Sequence, residues 1–209
     1  MSIASSSARR TSTLVTRIPT DDSLPRWRAW VTAHPIGGSL LAGAVATQFA
    51  TVFGIWFRGF GLPTLNWPTV NGMLIIPTAS PAAQYFAGLL SHFTDGVFFA
   101  LLFALLFHPL VPLRNTLLGN LIKAIAYGTV LAIISASWWV PAVYVSHHAG
   151  FLSTSLGWKV TFGIFLWHWI YGYFLGTVYC PLPKPPEGPS EEPAEAPSET
   201  TTPLGAGSV

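Results

Sequence analysis

From Ser23 to Pro186 the chain carries a single acidic residue, Asp95, among long runs of apolar side chains. A soluble domain of this size cannot cover its surface that way: about a quarter of a typical globular chain is charged, against 9% here, and 51% is hydrophobic. The sequence therefore predicts an all-α membrane protein. The charge that exists is segregated. Arg9, Arg10, Arg17, Arg26 and Arg28 precede the first apolar run, and Glu187, Glu191, Glu192, Glu195 and Glu199 follow the last.

Four segments are long and apolar enough for a helix of about 20 residues, which crosses a bilayer. They lie near 36–57, 84–107, 118–140 and 160–179, a four-transmembrane-helix bundle within residues 36–180. Pro35, Pro81, Pro109, Pro141 and Pro181 bracket their ends. Residues 1–35 form a basic leader without an apolar signal-peptide core, so the first span serves as an uncleaved anchor. Residues 181–209 are rich in Pro, Glu and Ser with no aromatic residue, a composition that stays disordered unless a partner holds it.

The Lys/Arg bias sets the orientation. With both termini cytoplasmic, Arg114, Lys123 and Lys184 join the leader arginines inside, and only Arg58 and Lys159 lie outside. Trp27 and Trp30 then mark the inner interface, with Trp56, Trp67, Trp138, Trp139 and Trp158 at the outer one. Residues 141–158, and residues 59–83 beyond Arg58, carry no formal charge yet hold Trp, Phe, Ile and Leu. Such loops lie on the membrane, fold back over the bundle or dock on another subunit.

Small residues recur every four positions along all four spans. The seams contain Gly88 and Gly96 in span two, Gly128 in span three, and Gly172 and Gly176 in span four. Close backbone approach along such seams packs helices in lipid. His92 and His168 fill one step each in the seams of spans two and four. Each sits eight residues into its span, roughly 12 Å deep at ~1.5 Å per residue. Asp95 follows His92 by three positions on nearly the same face. If spans two and four are neighbours, His92, Asp95 and His168 meet as a polar intramembrane cluster.

GLLSHFTDGVFFALLFALLF at 88–107 and HWIYGYFLGTVY at 168–179 resemble an uncharacterised family of small four-span bacterial membrane proteins, a domain of unknown function. His168, Tyr171, Gly172, Leu175, Gly176 and Tyr179 fit its His-x-x-Tyr-Gly-x-x-Leu-Gly-x-x-Tyr last helix, and His92 and Gly96 fit the second. The resemblance covers roughly 36–180 and implies a fold and a bacterial inner membrane, but no activity.

Three functions fit these residues. In the first, the histidines bond each other, Asp95, Ser91 or Thr94 and fix helix register. The chain is then a non-catalytic accessory subunit of a larger respiratory or photosynthetic complex, its partners other membrane subunits and lipids. In the second, His92 and His168 ligate haem or bacteriochlorophyll for electron transfer. In the third, Asp95 serves a small transporter or proton channel. No Gly-rich phosphate loop, zinc-ligand spacing or nucleic-acid motif is present. His147 and His148 read as an ordinary loop pair, His34 and His108 as headgroup-level residues, and Lys123 as a snorkelling one. Cys180 has no intrachain partner for a disulfide and is either a free or a lipidated juxtamembrane thiol.

Overall fold

Proline sets where two of the long helices begin. Pro35 and Pro81 each sit in a first helical turn, where a missing N–H forfeits no helical hydrogen bond. Ser80 caps the second of these, its Oγ accepting from the Ala83 N–H at 3.3 Å. Thr116 caps the next helix in the same way, accepting from the Gly119 N–H at 2.9 Å. In the computed structural model, which describes residues 23–144 and 148–183, all regular structure is helical. The expectations for residues 1–22, for His147 and for the tail from Lys184 onward lie outside the described residues.

The helices are α1 (Ser23–Ala33), α2 (Pro35–Trp56), α3 (Trp67–Ile75), α4 (Pro81–Leu110), α5 (Leu117–Val143) and α6 (Trp158–Val178). Three are long and apolar enough to cross a membrane: α2 with its terminal turn, Pro35–Phe60, then α4 and α5. The expected fourth span falls on α6. Its 21 residues cover about 30 Å at ~1.5 Å each, but Trp, Tyr, Thr and His replace much of the aliphatic content of the other three.

Two of the expected proline stops do not stop their helices. Pro109 and Pro141 lie inside the last turns of α4 and α5, each just after a π-helical stretch, Phe103–Phe107 and Ser135–Trp139. A proline ring clashes with the carbonyl four residues earlier, here Leu105 and Ser137, both mid-way through a π stretch. The wider turn relieves that clash, so the helix runs on.

The long helices pack pairwise, α2 against α4 and α6, and α5 against α6. α2 thus adjoins both α4 and α6, whose backbones stay apart and meet through the Trp167 and Tyr171 side chains of α6. The seam glycines are where backbones touch. A Cβ on Gly128 would collide with the His168 carbonyl of α6, and one on Gly172 would lie 2.5 Å from the Ala124 carbonyl of α5. A Cβ on Gly96 would strike the Thr47 hydroxyl of α2, and one on Gly176 would sit 2.9 Å from the Asn120 carbonyl of α5.

The stretch 59–83 takes the fold-back option. α3 lies along α4 so closely that a Cβ on Gly88 would collide with the Pro68 carbonyl, and one on Gly72 with the Gln84 carbonyl. This corrects the placement of two tryptophans. Trp67 is only 5% exposed, and Trp139 turns inward to hydrogen-bond Asn71, so neither serves as an interface anchor.

At the opposite end α1 clamps the end of α6. The Trp27 indole donates to the Val178 carbonyl at 2.8 Å, and Arg28 donates to the carbonyls of Cys180, Pro181 and Asn115 at 3.0, 2.9 and 2.6 Å. Cys180 and Pro181 lie just past the last turn of α6, where the negative end of the helix dipole favours a cation. Cys180 is fully buried beneath this clamp. Burial pushes its thiol up, with Arg28 and Trp27 pulling part of the way back. Maleimide should therefore modify Cys180 in the folded protein at least about tenfold more slowly than in denaturant at pH 8. Equal rates would show that the clamp opens freely.

Candidate functional site

His92, Asp95 and His168 line one cavity of about 110 Å³ between α3, α4, α5 and α6, together with Asn71, Ser135 and Tyr171. They do not hydrogen-bond one another. Each is tied to a different helix.

His92 reaches α2, its Nε2 lying 2.9 Å from the Thr51 hydroxyl oxygen. That hydroxyl has one proton and gives it to the Thr47 carbonyl at 2.6 Å. Nε2 must then be the donor, which leaves the ring lone pair of the neutral tautomer on Nδ1. His168 has the opposite tautomer. Its Nδ1 lies 2.8 Å from the Ile164 carbonyl, which only accepts, so Nδ1 carries the proton. Nε2 accepts from the Ser135 hydroxyl of α5 at 3.0 Å. Ser135 opens the π stretch of α5.

Asp95, half-buried, faces α3. Its Oδ2 accepts from the Asn71 amide at 2.8 Å and from the Ser91 hydroxyl at 3.3 Å. The Asn71 carbonyl oxygen in turn accepts from the Trp139 indole at 3.1 Å. An indole only donates and a carboxylate only accepts, so the amide orientation is fixed by its two neighbours. Thr94, an expected partner of the histidines, bonds the Leu90 carbonyl instead.

Aromatic rings enclose the cluster. The Trp167 indole packs on both imidazoles, at 5.4 Å from His92 and 5.0 Å from His168 between ring centroids. Tyr171 stacks on Trp167 at 6.0 Å and donates its hydroxyl to the Gly96 carbonyl of α4 at 2.6 Å. The cavity also reaches Ile134 and Trp138, both exposed, so it opens sideways between α4 and α5.

This geometry does not fit a tetrapyrrole. The cavity is well below the ~300–1,000 Å³ of pockets that take drug-sized ligands, one indole occupies the face shared by both imidazoles, and the His168 Nε2 lone pair is already engaged. Among the described residues no His, Cys, Asp and Glu converge in a metal-binding group.

A second polar group lies at the end where α1 clamps α6, and it encloses His108 within the protein. That residue is 5% exposed, its Nε2 donating to the Asn120 amide oxygen at 2.9 Å, while the Asn120 amide donates to the Pro181 carbonyl at 3.3 Å. Lys123 is equally enclosed, its Nζ reaching the Asn115 side chain at 2.9 Å and the His108 carbonyl at 3.3 Å.

Sequence reasoning found the histidines and Asp95 because titratable groups stand out in apolar runs. It missed Thr51, Asn71, Ser135 and Asn120, which they bond, and the inward turn of Trp139, which bonds Asn71. Asn71 carried the best signal, an amide in an otherwise uncharged apolar loop. No protein family matches the chain, and no curated protein or solved structure is similar to it, so the resemblance to the four-span bacterial family rests on its motif residues alone.

Proposed function

We propose that the chain is a four-span protein of a bacterial inner membrane, with both termini cytoplasmic, serving as a non-catalytic accessory subunit of a larger respiratory or photosynthetic complex. The observation that carries this reading is the way the interior polar groups are spent: His92, Asp95 and His168 each tie a helix pair. The apolar residues at and beyond the helix ends add a surface for a neighbour. Phe60, Phe151 and Trp158 are exposed by 75%, 75% and 69%, and patches of this kind mark subunit or membrane contacts.

Photo-crosslinking in the native membrane tests it, with the reactive residue placed in turn at Phe60, Phe151 and Trp158, and at Leu106 as a lipid-facing reference. Cross-links from the first three positions to one stoichiometric membrane subunit are expected. Lipid adducts alone at all four positions would end the accessory-subunit reading. An absorption spectrum of the same mildly solubilised protein should show only the aromatic band. A Soret or bacteriochlorin band lost in His92→Ala and His168→Ala would restore the pigment reading.

A second reading has one observation behind it. Asp95, the one acidic residue among the described residues, lines a cavity that opens sideways, as a proton or small-solute site would. Proton uptake into proteoliposomes that disappears in Asp95→Asn would favour it over the subunit role.

A further inference from the structure

The cluster around Lys123 holds positive charge that nothing in the described structure balances. His108, Arg114, Asn115 and Lys123, with Thr32 and Leu182 opposite, line a cavity of about 830 Å³ at the end where α1 clamps α6. An ammonium has three protons to donate, and Lys123, only 2% exposed, gives two of them to the Asn115 and His108 oxygens. Its third has no partner among the described residues. The Arg114 side chain, on the exposed rim, makes no hydrogen bond or ion pair among the described residues either. Asp95 belongs to the other cavity, bonded to Asn71 and Ser91, so no described carboxylate answers these charges. A buried ammonium held only by neutral oxygens is costly unless an anion completes it. The N-terminus of α5 opens beside the cavity at Leu117, adding the positive end of its dipole.

We infer that this cavity binds a phosphate-bearing anion, and that the anion is the headgroup of an acidic phospholipid. The source follows from position. The cavity lies where the apolar lengths of α4 and α5 end, beside exposed Leu110, Leu113 and Leu118, so a lipid seated there places its chains against those leucines and its phosphate at Lys123 and Arg114. Basic pockets between membrane helices bind headgroups in this manner. The inference rests on the chain lying in a bilayer, not on its being a subunit of a complex.

Native mass spectrometry of the full chain, released from micelles containing equal phosphatidylglycerol and phosphatidylcholine, reads the site directly. One phosphatidylglycerol should be retained in preference to phosphatidylcholine. Arg114→Gln and Lys123→Gln should each lower that retention about fivefold, the ~1 kcal/mol that one basic group contributes near an anionic surface. Lys159→Gln, at the other end of α6, should leave it unchanged. Lys123→Gln removes a buried tie and can impair folding, so Arg114→Gln, on the exposed rim, carries the test in that event. Equal retention of the two lipids, or an undiminished preference in Arg114→Gln, overturns the inference. Displacement of phosphatidylglycerol by millimolar inorganic phosphate assigns the site to a water-borne phosphate and overturns the lipid source.

Discussion

Gly128→Leu should leave little folded protein. Gly128 of α5 lies against the backbone carbonyl of His168, with the Gly172 Cα of α6 3.6 Å from where its Cβ would stand. A side chain there has no flexible neighbour to displace, and one helix backbone must move off the other. Overpacking a close contact costs 1–3 kcal/mol when side chains absorb it. Here the backbone must absorb it, so roughly 3 kcal/mol or more is expected, a large part of the 5–15 kcal/mol that holds a typical native state. The separation would also break the Ser135–His168 hydrogen bond, about two turns further along α5. Fluorescence-detected size exclusion and thermal unfolding in mild detergent measure this. Gly59→Ala is the matched control, because nothing lies within 4 Å of its would-be Cβ, and it should shift stability by less than about 0.5 kcal/mol. If Gly128→Leu elutes and melts like the parent, α5 and α6 do not pack along this line.

Asn71→Leu should be the most costly polar substitution. It removes the amide donor that Asp95 receives at 2.8 Å and the acceptor that the Trp139 indole finds at 3.1 Å. A hydrogen bond to a charged group contributes ~1.5–3 kcal/mol, and each orphaned buried group costs ~1–3 kcal/mol, so a loss of about 3 kcal/mol is expected. Asp95→Leu alone should be milder, because the Asn71 amide keeps the Ser91 hydroxyl at 3.4 Å. The double variant should lose less than the sum of the two, by about 1–2 kcal/mol, since the carboxylate stranded by Asn71→Leu is then gone. Strict additivity in this cycle would mean that Asp95 draws its support from elsewhere.

The long helices were legible because length and hydropathy are local properties. Residues 36–57, 84–107 and 118–140 stand out as apolar runs whatever surrounds them, and the helices found there overrun those limits by only a few residues. α3 was not legible. Its nine residues are too few for a periodic pattern, and Pro68 near its start and Pro77 after it read as loop. Asn66 caps its start, accepting from the Thr69 N–H, and α4, whose Gly88 lets it lie close, gives it a face to pack on.

The candidate site divides in the same way. His92, Asp95 and His168 could be named from sequence, since a titratable side chain in an apolar run is conspicuous. Their partners could not, because a Ser or Thr in a membrane helix is ordinary until the residue opposite is known. The matching positions of the two histidines along their helices suggested a direct contact. The Trp167 indole packs on both rings, and each ring bonds its own hydroxyl instead, Thr51 or Ser135.

The motif HWIYGYFLGTVY gains a physical reading from this arrangement. His168 bonds α5, Tyr171 bonds α4, and Gly172 and Gly176 admit the α5 backbone, while Tyr179 packs its ring on His108 and Phe103 at 5.4 and 5.8 Å. One helix face thus addresses several neighbours in turn.

The π stretch of α5 holds one residue more than an α-helical turn would. Removing one residue between Ser135 and Trp139 should therefore let the helix close at 3.6 residues per turn with its later side chains still near their present phase. The Pro141 ring would then again meet a carbonyl in its path. The same deletion in the regular part of α5, residues 117–134, would swing one part of the helix against the other by about 100°. The wide turn is thus slack in the chain: a lost residue there costs the proline its clearance and leaves the register of the bundle standing.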